Sequence, residues 1–216
     1  MTDELLTLTA DTFVRLADTL EAQPLSAWEA PSLCDRWRVR EVVAHMSTAA
    51  RYTAEQYMAE LQTDGGNIGA TIDRLADRDG RLDPSVLLAN LRDEQLHRWT
   101  PPGGGGIGAL SHAVIHGLDV TTPLGLPSPA DEPALRAVLD ALTAGDHTYF
   151  GIDLRGVRLT ATDFDWRWGD GDNVTGRAAD LAVALTGRTL QPGRVVGDMP
   201  PEGLQQPTPA SLFHRR

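Results

Sequence analysis

Through roughly the first 120 residues, apolar side chains recur three and four positions apart; beyond that stretch the repeat shortens to two. The change of period divides the chain into a helical part and a mixed part. In "LLTLTADTFVRLADTL", Leu6, Phe13, Leu16 and Leu20 share one helix face. Pro24 and Pro31 interrupt the pattern, so "QPLSAWEAPSLCDRW" reads as a long connection. "VREVVAHMSTAARYTAEQYMAEL" resumes it as one helix, with Val39, Val42, Met46, Ala49, Thr53 and Tyr57 on a single face. Asp64 to Asn67, "DGGN", ends that helix, and a short helical piece follows around Thr71 to Leu75. Asp83-Pro84 is a start signal, an acidic cap followed by proline in the first turn. That helix is expected to run to about Trp99 and stop at Thr100-Pro101-Pro102. "GALSHAVIHGLDV", Gly108 to Val120, continues as a fourth long helix. Four helices with moderate links point to a mainly α fold, an antiparallel four-helix bundle.

The proline-rich stretch Thr121 to Pro133 reads as a boundary. "ALRAVLDALTAGDHTYF" is helical in pattern. In "GVRLTATDFDWRWGDGDN", Val157, Leu159 and Ala161 alternate with Arg158, Thr160 and Thr162, the mark of a β-hairpin. "VTGRAADLAVALTGR" reads as a helix capped by Thr175 and stopped by Gly187. The expected organisation is a bundle over residues 1–125, a small α+β module over 126–199, and a poorly ordered tail over 200–216.

Hydrophobic residues make up 41% and charged residues 23% of the 216, a globular balance that is long enough to bury a real core. The net charge of −11 comes with no Lys/Arg run, which argues against nucleic acid as a partner. No run of about 18 apolar residues is present, so no membrane span is expected. The acidic start "MTDELLTLTADTF" lacks the features of a signal peptide, and the one cysteine, Cys34, permits no intrachain disulfide. Both fit a cytoplasmic protein. "NVT", Asn173 to Thr175, therefore reads as a turn before a helix rather than a glycosylation site.

Several motifs fail on context. "GGGGIG" contains the glycine spacing of a dinucleotide loop, but a helix and two prolines precede it where a strand is required. "DFDWRWGDGDN" places Val174 where a calcium loop needs a third ligand. No G-x-S-x-G is present, and Ser111 points away from its neighbour His112 along the helix. Cys34 reads as a small buried apolar group, with a nucleophile as the less favoured reading. His97, His147 and His214 have no partner pattern and read as surface groups.

His112 and His116 are different. With Asp119 they fall within an arc of about 60° on their helix, opposite Leu110, Val114, Gly117 and Leu118. Such a stripe is either a wet helix face or a metal pair, since i,i+4 is the spacing at which two imidazoles share an ion. His45 borders the apolar face of the second helix and leans inward. Asp119 orients an imidazole, acts as a base or helps bind substrate, or is a surface carboxylate. Trp37 walls a pocket or packs in the core.

"PSLCDRWRVREVVAHM", Pro31 to Met46, resembles the start of the second helix in the DinB-like helical-bundle family, and specifically its actinobacterial mycothiol-dependent maleylpyruvate isomerase branch. "HAVIHGLDV" is similar to a second stretch of that family, and the region from Val157 to Arg188 resembles its C-terminal hairpin and helix ending in Thr-Gly-Arg. The resemblance covers most of residues 5 to 197. It implies a metal held by His45, His112 and His116, zinc or another divalent ion such as nickel, and mycothiol as a thiol cofactor. At the position of His112 the isomerase has a glutamate, whereas three histidines are common in the wider family. The resemblance further implies that Asp119 takes part in catalysis and that Arg188 faces an anionic substrate or the thiol cofactor. The reaction implied is a cis–trans isomerisation, in which a thiolate adds to a conjugated double bond and leaves after rotation, or an S-transfer to a small electrophile. A metal-binding stress protein without turnover, or a biosynthetic enzyme working without thiol, is the alternative. The expected partner is a small-molecule electrophile or unsaturated acid, and the expected assembly is a monomer or homodimer.

Overall fold

The computed structural model describes residues 2–144, 150 and 152–198. Its contacts form two compact units, one ending at Ala130 and the other beginning at Asp131. The expected tail from residue 200, His147 and His214 lie outside the described residues.

The first unit is helical: α1 (Thr2–Glu21), α2 (Leu25–Trp28), α3 (Val39–Met46), α4 (Thr48–Arg51), α5 (Ala54–Thr63), α6 (Ile68–Asp79), α7 (Pro84–Leu91), α8 (Glu94–Arg98) and α9 (Gly105–Thr121). In one core cluster Phe13, Leu16, Ala17 and Leu20 of α1 meet Val39, Val42, Val43 and Met46 of α3. Leu87 and Leu91 of α7, Leu96 of α8, and Ala113 and Val120 of α9 complete it. The helical spacing of these residues is what lets these helices bury one apolar face together. Two buried threonines on α1 cost little, because Thr9 and Thr12 donate their hydroxyls to Leu5 and Leu8 carbonyls, both at 2.7 Å.

Two expected helices are broken. The second long helix stops at Ser47 and again at Tyr52-Thr53, giving α3, α4 and α5. Ser47 donates its hydroxyl to the Val43 carbonyl at 2.6 Å, and Arg51 reaches back to the carbonyls of Ala44 (2.6 Å) and Ser47 (3.2 Å), satisfying the end of α3. Arg51 is itself held by Asp79 of α6 at 3.1 Å. Thr53 and Gln56 form a reciprocal cap that opens α5. The helix expected over Pro84 to Trp99 divides at Arg92-Asp93, where the Asp93 carboxylate accepts from the Gln95 amide at 2.7 Å and starts α8. The start at Asp83-Pro84 is as expected, with Asp83 accepting from the Ser85 amide at 2.9 Å. The glycine run makes the turn into α9, which opens within it, with φ of +77° at Gly103 and +57° at Gly105.

The second unit contains α10 (Glu132–Ala144), β1 (Val157–Ala161), β2 (Arg167–Trp168), β3 (Asp172–Gly176), α11 (Ala178–Leu185) and β4 (Val195–Gly197). The sheet order is β2-β1-β3-β4. β1 and β2 form the expected hairpin, with Leu159 opposite Trp168, and Val157, Leu159 and Ala161 are buried. Trp166 ties the hairpin to α10 by donating its indole N–H to Asp140 at 2.8 Å. Asn173 to Thr175 are not a turn, and Thr175 is not a cap. They lie in β3, parallel to β1, and the Thr175 hydroxyl donates to the Val196 carbonyl of β4. α11 starts three residues after Thr175, and its cap comes from Asp163, which accepts from the Ala178 amide at 2.9 Å. Gly187 ends it at φ +75°, as expected. No described helix is long and apolar enough to cross a membrane.

Candidate metal centre

α3 and α9 build the site. His45 lies in the last turn of α3, and His112 and His116 lie one turn apart on α9. α9 is buried over most of its circumference, so the stripe that carries the histidines does not face open water. All three side chains are half-buried. The rings meet edge-on, with centroids 5.2 Å apart for His45–His112, 4.9 Å for His45–His116 and 4.8 Å for His112–His116.

The ring nitrogens converge as well. Nε2 of His45 and Nε2 of His112 are 3.4 Å apart. Two nitrogens bound to one tetrahedral ion at zinc distances stand about 3.3–3.4 Å from each other. One ring nitrogen from each histidine lies within 4.8 Å of the others. Burial holds the His112 proton affinity down to about 3, with the neighbouring His116 acting in the same direction. Burial, then His116 and His112, push His45 well below the usual histidine value. Both are therefore neutral imidazoles near pH 7, the form that binds metal. Nδ1 of His112 is buried without a hydrogen-bond partner, so no contact of that nitrogen competes with the use of Nε2.

Asp119 is fully buried, which excludes the surface-carboxylate reading. Its Oδ2 accepts from His116 Nδ1 at 2.9 Å. A carboxylate cannot donate in return, so the proton sits on Nδ1 and Nε2 of His116 is the bare nitrogen. The same oxygen accepts from the Cys34 thiol at 3.2 Å, a contact the sequence did not signal. Cys34 is thus neither a plain apolar filler nor an isolated nucleophile. Two tryptophans flank the site: Trp37 packs its ring 5.0 Å from His45 and Trp99 lies 5.5 Å from His112. Trp37 also packs on the core. The role of Trp99 was hidden because it stands at an expected helix end. His97 is not a free surface group: its Nε2 meets the Leu91 carbonyl at 2.8 Å and its ring stacks on Phe13. Arg188 lies in the second unit, where it donates to the Thr186 carbonyl at the end of α11, 3.0 Å away.

Residues 9–100 match the family model described as the mycothiol maleylpyruvate isomerase N-terminal domain. That stretch carries His45, Cys34 and both flanking tryptophans. The match lies within the helical unit and covers less than half of the chain. Two solved structures share the fold over most of the chain: the mycothiol-dependent maleylpyruvate isomerase, with a TM-score of 0.59, and a His-to-Ala mutant of it, with a TM-score of 0.62. Each alignment has 16% identity and covers 92% of this chain and 93% of the solved one. At that identity the likeness is one of fold. No curated protein sequence matches the chain. His112 and His116 fall outside the matched mycothiol maleylpyruvate isomerase N-terminal segment.

Proposed function

We propose that His45, His112 and His116 hold a divalent ion, zinc in the first place, and that the chain is a metal-dependent enzyme using mycothiol as cofactor, an isomerase of the maleylpyruvate type or a thiol S-transferase. The observation that carries the reading is the 3.4 Å approach of two neutral imidazole nitrogens from different helices, with the third ring beside them. Three ligands would leave one position open on a four-coordinate ion, the arrangement of catalytic rather than structural zinc. When bound, the ion supplies Lewis acidity and the thiol supplies a nucleophile whose proton is readily lost at the metal.

The chain's own residues do the rest. Three neutral ligands leave the full double charge uncompensated, which favours an anionic thiolate and a carboxylate substrate. Asp119 holds the proton on Nδ1 of His116 and leaves Nε2 bare. Trp37 and Trp99 pack against His45 and His112 and shield them from water, which favours their neutral, metal-binding form. Arg188 is proposed as the partner of an anionic substrate or of the thiol cofactor on the resemblance of Thr186-Gly187-Arg188 alone.

The test is turnover. Zinc-loaded protein with mycothiol is expected to convert maleylpyruvate to its trans isomer or to join the thiol to a small electrophile, and to stop when a chelator is added. Metal binding without thiol-dependent turnover of either kind leaves a metal-binding protein and overturns the enzymatic reading.

A further inference from the structure

Residues 31 to 38 form a closed loop against α9. Pro31 and Arg38 bridge its ends, the Ser32 hydroxyl donates to the Trp37 carbonyl at 2.7 Å, and the Trp37 amide donates to the Cys34 carbonyl at 2.9 Å. The Cys34 amide donates back to the Ser32 hydroxyl at 3.0 Å. The loop is sewn to α9 at one residue, since the Leu33 amide donates to the Asp119 carbonyl at 3.0 Å. Beside that backbone bond the Cys34 thiol meets the Asp119 side chain, on the oxygen that also receives His116.

We propose that Cys34 is a positioning residue of the histidine site: its thiol donates to Oδ2 of Asp119 and thereby holds that oxygen against His116 Nδ1, so that Nε2 of His116 stays the bare nitrogen available to a metal ion. The inference rests on the three histidines acting as one ligand set. A carboxylate can rotate about its Cβ–Cγ bond and present either oxygen. Two donors on one oxygen, at 3.2 and 2.9 Å, remove that freedom. In this contact the thiol is the donor, because a carboxylate oxygen accepts. Cys34 therefore serves the site as a donor and does not supply the reacting thiol. The loop positions the site twice, through Cys34 to His116 and through the Trp37 ring to His45.

The experiment compares the wild type with Cys34→Val and Cys34→Ala, which remove the donor, and Cys34→Ser, which keeps one. Long-range proton–nitrogen spectra of the metal-free proteins read the His116 tautomer. The wild type and Cys34→Ser are expected to show a single Nδ1-protonated form, and the Val and Ala variants a mixture. Zinc affinity, read by competition with a chromophoric chelator, is expected to fall about tenfold in Val and Ala and to recover in Ser. A His116 tautomer unchanged in whichever of the Val and Ala variants folds overturns the proposal. So does a Ser variant that behaves like Val. A wild type that binds no zinc while its tautomer still follows the donor sinks the functional reading and leaves the positioning role standing.

Discussion

His45 and His112 stand 67 residues apart in sequence, on α3 and α9, and bring their Nε2 atoms to 3.4 Å. Neither nitrogen is a carboxylate's partner, and both rings are held neutral by burial. Replacing either histidine, or His116, by alanine is expected to weaken zinc binding on the order of 100-fold or more, beyond the effect typical of an outer-sphere partner. Far-ultraviolet circular dichroism should be unchanged. Variants that keep wild-type affinity would remove that histidine from the ligand set.

The same burial makes the metal-free protein sensitive to acid. His112 holds its proton only below about 3 when folded, against an ordinary value of 6.5. Between those values the unfolded chain binds a proton that the folded chain refuses. Stability is therefore full above about pH 6.5 and is lost as the pH falls toward 3, at up to about 1.4 kcal/mol per pH unit from this residue. His45 adds in the same direction. Urea midpoints at about pH 7.5 and about pH 4.5 should differ less in His112→Leu than in the wild type, because that variant lacks one of the two groups. An identical difference in both would contradict the assignment.

Gly117 follows His116 on α9, and a Cβ there would lie 2.8 Å from Cγ of Pro129. Alanine gains about 1 kcal/mol in helix propensity but is set against a rigid ring, an overpacking cost of about 1–3 kcal/mol. Gly117→Ala is expected to lower the urea midpoint, whereas an exposed helical glycine would raise it.

Asp93 separates α7 from α8 by capping the latter. Asp93→Ala is expected to cost about 1 kcal/mol in chemical denaturation. No loss would mean that the division is set by packing around Leu91 and Leu96 alone.

The helical part was readable where periodicity and packing agree. Leu16, Leu20, Val39 and Val42 are buried as their spacing requires. The breaks at Ser47 and Asp93 were not, because the apolar repeat runs through them and the deciding contacts are side-chain hydrogen bonds to local backbone. Thr175 misled for a related reason. Cap residues and strand residues overlap in threonine, and the amide of Ala178 is capped instead by Asp163, from the loop between β1 and β2. His45, His112 and His116 were singled out by i,i+4 spacing, an inward lean and the family resemblance of the phrases around them, since spacing alone left a wet helix face open. The burial of Asp119 could not, since it depends on a loop 85 residues earlier that brings Cys34 onto the carboxylate.

The central claim is that three histidines form one divalent-ion site. Calorimetric titration of chelator-treated protein with zinc tests it most directly, beside the variant carrying alanine at His45, His112 and His116 together. One ion bound per wild-type chain, and none at that site in the variant, is the predicted result. A wild type that takes up no zinc, or a variant that binds it as the wild type does, would contradict the account.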